Sequence, residues 1–501
     1  YPRSAISTDG VTEKDLSALR YGVYSAMQNK PGSTGHICFD VLGGDITQKN
    51  YNPIDVYNNY MKTLGSNVTG QWNNFYNELY HVNLLLATVE KAGIEANKII
   101  YGEAHYFRAM IYMNLVTRWG GVPILRVNTT DRVKRDTVED CWKFINEELQ
   151  LAIDNLETST DMYMVSKEAA QALAARAYLY QGNMKKAAEL AEALITSGKY
   201  DLCREKKNGY SGYQQLFMGD NDCNPEAMKE IIFPIRQDGL KARAYAGTTY
   251  LVSAATIGGM PYASTGDPWK CMFARENLIE KFFPNKNDIP KATVDDVLKN
   301  PSKEQVIAKD SEKGIGTADV IAKAKDDRAL LYMGVGGCEE GKVRTINPGE
   351  AITGPLNGAS FVKWSNLHAD GSTQHDQNYS DTDFPVFRLA EIYLTRAEAK
   401  YRLGQDGLDD ILKVQDRAHR ASKATSVNEQ TLIDEWCREF FMEGRRRSDL
   451  VRFGLYTGSK YLWSFKGGAE KGAGVPSYYN IYPIPDNEIK NNPNMTQNPK
   501  Y

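Results

Sequence analysis

Residues 383–404 read DFPVFRLAEIYLTRAEAKYRLG, and this stretch decides the fold. Its apolar residues recur every three or four positions, which predicts one buried face of an amphipathic helix: Val386, Leu389, Ala390, Tyr393, Ala397 and Tyr401. The alanines on this face let a second helix approach closely. Gly404 predicts the end of the helix, because glycine readily accepts the left-handed backbone conformation that follows a last helical turn.

A related pattern occurs earlier in the chain. Ala175, Ala177 and Gly182 hold the same relative positions as two alanines and the terminal glycine of that stretch, and a second helix follows each glycine. An alanine-rich helix, a glycine turn and a packing helix form a tetratricopeptide-like unit, whose period is about 34 residues. Since the two copies lie far apart, we expect an all-α scaffold of such helix pairs, interrupted by a long insertion.

Helical periodicity also predicts the elements around these two pairs. Further helices are expected from about residue 12, around Trp72 to Leu86, and over 97–119, 137–156, 166–181, 183–197, 386–403, 405–421 and 430–447. Periodicity is patchy over 203–380, and the proline- and asparagine-rich end should be extended. We therefore expect one domain over 1–501, with a helical part at 1–202, an irregular lobe at 203–380, and a helix pair with a tail at 381–501.

Composition excludes several classes of function. A net charge of −3 without a lysine and arginine cluster gives no reason to expect nucleic-acid binding. No apolar run of about 18 residues is present to form a membrane span. The seven cysteines include no CxxC pair and no zinc-like spacing, although Cys203 and Cys223 flank a glycine-rich loop and could pair. The chain begins at Tyr1 without a methionine or a signal peptide, from which we expect a trimmed mature chain or an expressed fragment.

Four stretches, in this order, resemble the SusD/RagB family of Bacteroidetes outer-membrane glycan-binding lipoproteins. They are GEAHYFRAMIYMNLVTRWGGVPIL at 102–125, AAQALAARAYLYQGNMKKAAELAEALITSGKYDL at 169–202, FPVFRLAEIYLTRAEAKYRLG at 384–404, and REFFMEGRRRSDLVRFG at 438–454 with the tail YPIPDNEIKNNPNMTQNPKY. Each alone is a common helical pattern. Their order, with the long insertion between the second and third, makes the resemblance specific over nearly the whole chain.

The resemblance implies a fold and a role. It implies four tetratricopeptide-like helix pairs that support an irregular ligand-binding lobe. It further implies a protein anchored by lipid at the extracellular face of the outer membrane, where it covers a SusC-like TonB-dependent transporter and delivers oligosaccharides to it. No cofactor, metal or catalytic activity is expected, and the lipidated cysteine lies outside this sequence.

Candidate sugar contacts are the aromatic residues of the predicted lobe and one amino-terminal loop. Sugar rings stack their apolar C–H faces on tryptophan or tyrosine, while their hydroxyls need polar partners. The lobe offers Tyr262 and Trp269 on either side of Asp267, and Trp364 beside Asn366 and Asp370, and further tyrosines in loop-like contexts, Tyr245, Tyr250 and Tyr379. The resemblance adds Asp45, Tyr51 and Tyr57. We select Trp269, Tyr262, Trp364, Asp45, Tyr51, Tyr57 and Tyr250 as the predicted glycan-binding residues.

Three alternatives remain open from sequence. Glu439 and Glu443 lie one helical turn apart and could form the carboxyl pair of a glycoside hydrolase, although the arginines nearby favour structural ion pairs. His368 and His375 could hold a metal ion with neighbouring aspartates, but no zinc spacing supports this. The protein could also be a structural or peptide-binding lid without sugar affinity. Starch, fructan, mucin glycans and hemicelluloses all remain possible ligands.

Overall fold

The computed structural model describes residues 13–27, 46–48, 65–261, 264–347 and 356–501. The α-helices in the described part of the chain are α1 Glu13–Ala26, α2 Gly65–Ala92, α3 Lys98–Trp119, α4 Val138–Asn155, α5 Lys167–Gln181, α6 Met184–Thr196, α7 Gly212–Gln215, α8 Pro225–Met228, α9 Thr248–Ala255, α10 Glu276–Ile279, α11 Lys303–Lys313, α12 Thr317–Ala324, α13 Leu389–Arg402, α14 Leu408–Arg417, α15 Glu429–Phe440, α16 Arg446–Arg452 and α17 Asp486–Asn491. The strands there are β1 Ile46–Gln48, β2 Ile231–Ile235, β3 Met272–Ala274, β4 Leu331–Tyr332, β5 Ser360–Phe361 and β6 Phe384–Arg388.

The amino-terminal helices pack as successive neighbours, α1 on α2, α2 on α3, α3 on α4 and α5 on α6. Small residues permit the close packing around α5, where Ala170, Ala174 and Ala177 are buried. Gly182 ends α5 with a φ of 81°, and the Asn183 side chain accepts a hydrogen bond from Lys186 N to begin α6. The glycine turn and the helix pair predicted here are thus formed by ordinary capping.

The two helix pairs that are distant in sequence meet in space. Helix α13 packs against α6 and α5 as well as against its own partner α14. Arg176 of α5 strengthens this contact, because its Nε and Nη2 donate to the Glu391 carboxylate of α13, each at 2.6 Å. The all-α, tetratricopeptide-like scaffold predicted from sequence is confirmed, and the insertion leaves the stack continuous.

The helix predicted from residue 386 begins three residues later. Residues Phe384–Arg388 form β6, which pairs antiparallel with β2, and Val386 therefore lies in a strand and not on the helical face. Pairing with β2 explains the difference, because Phe387 and Arg388 lie opposite Phe233 and Ile231 in the ladder, whereas Pro385 restrains only Phe384 before it. This strand pair joins the lobe to the helical scaffold.

The helix predicted over 430–447 is divided into α15 and α16. Met442 and Gly444 have φ values of 60° and 77°, which no right-handed helix accommodates. The turn between the two helices presents the carbonyl oxygens of Phe441 and Met442 to the lobe. Periodicity alone missed this break, because the apolar spacing continues through it.

The span 203–380 is largely irregular, as expected, but it is not without helices. Helices α9, α11 and α12 and the two-stranded pairs β1–β3 and β4–β5 lie within or against it. One hydrophobic core runs from Leu16 to Met495 through both the helices and the lobe. The single domain and its internal boundaries remain predictions that this continuity supports.

Two inferences from composition, a possible disulfide and the absence of a membrane span, can be compared with the described residues. Cys203 is buried and Cys223 is exposed, and both carry free thiols, so the considered disulfide is not formed. In the described ranges, every helix is either too short or too polar to span a bilayer.

Candidate glycan-binding site

Helix α9 and the loop after it position Trp269. The backbone N–H of Trp269 donates to Ser253 O at 2.8 Å, and Cys271 N donates to Ala254 O at 2.9 Å, so this loop runs back along α9. The indole therefore lies over Tyr250, with ring centroids 5.7 Å apart. Its Nε1 donates to Asp267 Oδ2 at 2.8 Å, which fixes the orientation of the ring. Trp269 is partly exposed, whereas Tyr250 beneath it is buried.

Two further tyrosines extend the surface that Trp269 begins. Tyr245 is 52% exposed, and its ring lies 6.2 Å from that of Trp269 and 4.7 Å from that of Tyr379. The rings are tilted by 36° and 46° rather than coplanar. A hydrogen bond with Tyr379 raises the pKa of Tyr245, so the Tyr245 hydroxyl stays protonated at neutral pH. We call Trp269, Tyr245 and Tyr379 the aromatic arc.

Charged and amide side chains surround the aromatic arc. The Arg243 guanidinium lies 4.5 Å from the Tyr379 ring centroid and pairs with Asp376 at 3.8 Å. Asp267 lies on the Trp269 side, and Asn378 is exposed beside Tyr379. These groups supply donors and acceptors around apolar ring faces, which is the composition that sugar recognition requires.

The loop that carries Tyr379 is held by one buried amide. Asn366 Nδ2 donates to the carbonyl oxygens of Asp376 and Tyr379, at 2.9 and 3.3 Å, and Asn366 Oδ1 accepts from Asp381 N at 2.7 Å. The Asn366 N–H donates to Ser264 Oγ at 2.9 Å, in the loop that leads to Trp269. Asn366 thereby sets the distance between the two sides of the arc.

Asp381 provides a second anchor for the same loop. Its Oδ2 lies 3.0 Å from His368 Nε2 and 3.3 Å from His375 Nδ1, and accepts from His375 N at 2.9 Å. The hydrogen bond with Asp381 raises the pKa of His368. The two histidines are thus partners of one carboxylate. Among the described residues, no group of three His, Cys, Asp or Glu side chains is arranged to hold a metal ion.

Comparisons with known proteins place the chain in one family. Residues 229–501 match a family model described as SusD family, and residues 2–179 match one described as starch-binding, associating with the outer membrane. The starch-binding protein SusD of Bacteroides thetaiotaomicron is 44% identical over 418 residues, which cover 80% of this chain and 72% of that protein. The chain belongs to the SusD family.

Solved SusD-like structures share the fold at low sequence identity. A SusD-like protein from Bacteroides fragilis superposes with a TM-score of 0.73 at 18% identity, covering 99% of both chains. Surface glycan-binding protein A from Bacteroides fluxus gives a TM-score of 0.70 at 18% identity, covering 98% of this chain and 100% of that one. The resemblance to the SusD family drawn from the sequence is confirmed.

Trp364, predicted as a sugar contact, lies in the core of this SusD-family protein. Only 4% of it is exposed. Its ring stacks on Phe384 with centroids 5.3 Å apart and planes inclined by 8°, and its Nε1 donates to Met442 O at 3.0 Å. One face stacks on Phe384, the polar edge donates to Met442, and burial of the remaining surface leaves no exposed ring face for a ligand.

The remaining predicted contacts divide into three groups. Trp269 lies on the aromatic arc. Tyr250 is buried beneath it and supports the indole, so its predicted direct contact is corrected to a supporting role. Asp45, Tyr51, Tyr57 and Tyr262 lie outside the described residues. Sequence reasoning noted Tyr245 and Tyr379 as loop tyrosines but did not select them, because nothing local indicates that they converge on Trp269.

The carboxylates considered for hydrolysis lie in a buried ion network. Glu439 accepts from Arg328, Arg388 and Arg417, and Glu443 accepts from Lys363 and Arg388. Burial alone would raise the pKa of Glu439, but the three guanidiniums hold it well below its usual range. Glu439 is therefore ionised, and both carboxylates are buried and fully engaged by cations, an arrangement that ties β6, α14 and α15 together.

A cavity of about 100 Å³ lies between α3 and α5 on one side and β6 and the start of α16 on the other. Its polar lining includes Glu391, which pairs with Arg176 and Arg445. Burial would raise the pKa of Glu391, but the two arginines outweigh this effect and lower it to about 2. The charges in this lining engage one another, in contrast to the aromatic faces of the arc.

Proposed function

We propose that this protein captures an oligosaccharide on the aromatic arc. The observation that carries the proposal is the convergence of Trp269, Tyr245 and Tyr379, three partly exposed rings from separate loops, inside a border of Arg243, Asp267 and Asp376. Stacking of sugar C–H faces on the rings would supply affinity, and the charged border would orient the hydroxyls. Asn366 fixes both loops before ligand arrives, which lowers the entropy lost on binding.

The shape of the arc favours a curved ligand. Successive rings are tilted by 36° and 46°, so their faces follow a bend and not a plane. An α-1,4-linked glucan coils and presents successive sugar faces around a curve, whereas a β-1,4-linked glucan is an extended ribbon. The starch-binding name of the 44% identical SusD agrees with this preference. We therefore favour a starch-type glucan as the ligand class.

We further propose that the protein binds without hydrolysis. Asp267 accepts a hydrogen bond from the Trp269 indole and Asp376 pairs with Arg243, so both border carboxylates are already engaged within the protein. The similar proteins carry the names of binding proteins. A sensitive reducing-sugar assay on every retained glucan should detect no product above the buffer control. If the wild-type protein releases product and Asp267→Asn abolishes that release, the proposal that the protein binds without hydrolysis is wrong.

Delivery to a transporter completes the proposal. The family resemblance and the outer-membrane description of the matching family model support a lipid-anchored protein at the extracellular face, bound to a SusC-like TonB-dependent transporter. The stacked helix pairs α5–α6 and α13–α14 offer a continuous scaffold for that contact. Co-purification of the full lipoprotein with its SusC-like transporter after mild detergent extraction tests this step, and separate elution of the two would contradict it.

Affinity gel electrophoresis against a polysaccharide panel tests the binding itself. We expect amylopectin to retard the wild-type protein more than β-1,4-glucans do, and Trp269→Ala to lose most of the retardation. Tyr21→Ala is the matched control, because Tyr21 is 54% exposed on α1 and lies outside the arc. Absence of retardation by every glycan, or equal retardation of Trp269→Ala and wild type, would overturn the proposed site.

A further inference from the structure

A second cluster of tyrosine rings lies at the surface near the end of the chain. Tyr478 and Tyr479 belong to the short turn Ser477–Asn480, with ring centroids 4.4 Å apart. The ring of Tyr501 lies 5.0 Å from Tyr478 and 6.2 Å from Tyr479. Tyr501 is 37% exposed and the other two are partly exposed. We call these three residues the tyrosine cluster.

Hydrogen bonds to backbone carbonyl oxygens hold the tyrosine cluster against the end of α3. The Tyr501 hydroxyl donates to Ile481 O at 2.8 Å, which fixes its ring across the turn. Two residues after the turn, Tyr482 donates its backbone N–H to Arg118 O at 2.6 Å. Asn498 Nδ2 then donates to Trp119 O and Tyr482 O, at 2.9 and 2.7 Å. The rings are thus positioned before any ligand binds, which reduces the entropic cost of binding.

The tyrosine cluster repeats the construction of the aromatic arc. The pair Tyr478–Tyr479 has rings 4.4 Å apart and tilted by 50°, close to the 4.7 Å and 46° of Tyr245–Tyr379. In each pair a hydrogen bond between the two tyrosine side chains raises the pKa of one member, Tyr479 here and Tyr245 in the arc. In each cluster a third ring lies 6.2 Å from one member of the pair. This ring is Tyr501 beside Tyr479 here, at a tilt of 55°, and Trp269 beside Tyr245 in the arc, at a tilt of 36°.

Size and polarity favour a small neutral ligand over a protein. Three partly exposed rings offer at most a few hundred Å², less than the about 800 Å² per partner that a stable protein interface buries. The Arg447 guanidinium lies behind the cluster, 4.4 Å from the Tyr482 ring, and donates to Asn480 O at 2.9 Å. The accessible surface is therefore formed by ring faces and hydroxyls, with the exposed Ser477 beside them.

We propose that the tyrosine cluster is a second glycan-binding site, which takes a neutral sugar unit of the same polysaccharide that the aromatic arc binds. This inference rests on the proposed function of the arc. Two sites on one molecule allow a long polysaccharide to bind at both, so its apparent affinity exceeds that of either site alone. A short oligosaccharide occupies one site at a time and gains nothing from the second.

The test compares polymer and oligosaccharide binding in matched variants. Tyr479→Ala should weaken retention of the protein in an amylopectin gel by about tenfold or more in apparent affinity. The same variant should bind maltoheptaose with the wild-type dissociation constant in calorimetry, because the arc is intact. Tyr479→Phe keeps the ring and should retain most of the polymer affinity, and Tyr21→Ala should behave as wild type. Tyr478→Ala provides a second probe, and near-ultraviolet circular dichroism checks that each variant is folded.

Each outcome separates the two proposals. If Tyr479→Ala and Tyr478→Ala are both retained by the polymer as strongly as the wild-type protein, the second site is overturned and the proposed function stands. Absence of wild-type retention by any glycan overturns the proposed function and this inference with it. Unchanged polymer retention together with loss of transporter co-purification would also overturn the sugar assignment, and would identify the cluster as a protein contact.

Discussion

The Trp364 indole donates its N–H to the carbonyl oxygen of Met442 at 3.0 Å, and so joins the lobe to the turn between α15 and α16. Met442 has a φ of 60°, and this left-handed conformation directs its carbonyl towards the lobe instead of along a helix. The lobe that carries the aromatic arc is therefore fixed to the scaffold through a core tryptophan. The sequence alone suggests a sugar contact for this residue, because it is a tryptophan with polar neighbours.

Trp364→Ala should destabilise the protein without acting directly on sugar binding. Removal of a buried tryptophan costs about 3–5 kcal/mol through lost burial and the cavity left behind. The Met442 carbonyl would also lose its donor. Chemical denaturation followed by circular dichroism measures the change. Trp269→Ala is the matched variant, because that indole is partly exposed and its loss should reduce glycan affinity with little change in the denaturation midpoint. The reverse pattern in the two variants would contradict these assignments.

Glu439→Gln should destabilise the protein strongly while leaving the arc intact. The substitution keeps the shape but removes the charge that Arg328, Arg388 and Arg417 share. Loss of one partner from a buried ion network costs about 3–5 kcal/mol, because the remaining charges stay desolvated. The free energy of unfolding, obtained from chemical denaturation, measures this loss. Glu147→Gln, which breaks the exposed Arg126–Glu147 pair, is the control and should change the free energy of unfolding by less than about 1 kcal/mol. Equal midpoints for the two variants would contradict a stabilising role of the network.

Acid should unfold the protein through the same network and its neighbours. Burial favours protonation of Glu435 and Glu391, but the paired arginines outweigh it and lower both pKa values to about 2. A lowered carboxyl pKa contributes stability above the unfolded value of about 4.5 that is lost as pH falls towards the folded value. The midpoint of thermal unfolding should therefore fall steeply between about pH 4.5 and 2. A constant midpoint over this range would contradict the inferred ionisation.

The sequence predicts what depends on nearby residues. Helix α5 and its partner α6 follow from alanine spacing and a glycine turn, and the family resemblance follows from four such local patterns. The distinction between Trp269 and Trp364 depends on distant partners instead. Phe384 and Met442 bury Trp364, whereas Tyr250 supports Trp269 from one side only. Tyrosine positions in loops carry no local signal of convergence, so the arc appears only in three dimensions.

Asn366 should control glycan affinity without touching the sugar. Its side-chain amide donates to the carbonyl oxygens of Asp376 and Tyr379, and its carbonyl oxygen accepts from Asp381 N. Asn366→Ala leaves those backbone groups without these partners, so the loop that carries Tyr379 should loosen. We expect a loss of about tenfold in affinity for maltoheptaose, seen in calorimetry with a less favourable entropy. Asn378→Ala is the comparison variant, because it removes an exposed polar group of the same loop without breaking the Asn366 hydrogen bonds. Wild-type affinity in Asn366→Ala would show that Tyr379 does not need this anchor.

Glycan affinity should fall as pH rises from about 6 to 8.5. The hydrogen bond that His368 Nε2 makes to the Asp381 carboxylate raises the pKa of His368 above its ordinary value of 6.5, and Asp220 and Asp370 add to this effect. A raised histidine pKa contributes stability that is complete below the unfolded pKa and is lost as pH rises through the folded pKa. Because Asp381 anchors the loop of Tyr379, loss of the proton weakens the hold on the arc. Calorimetry at both ends of this range measures the change.

The matched variant for this pH dependence is His368→Gln, which keeps a hydrogen-bonding side chain but cannot gain a proton. Its affinity should stay nearly constant over the same range, at a value close to that of the wild-type protein at high pH. His375 also lies 3.3 Å from Asp381 but is 55% exposed at its side chain, so His375→Gln should leave most of the pH dependence in place. An equally steep pH dependence in His368→Gln would exclude the His368–Asp381 contact as its source.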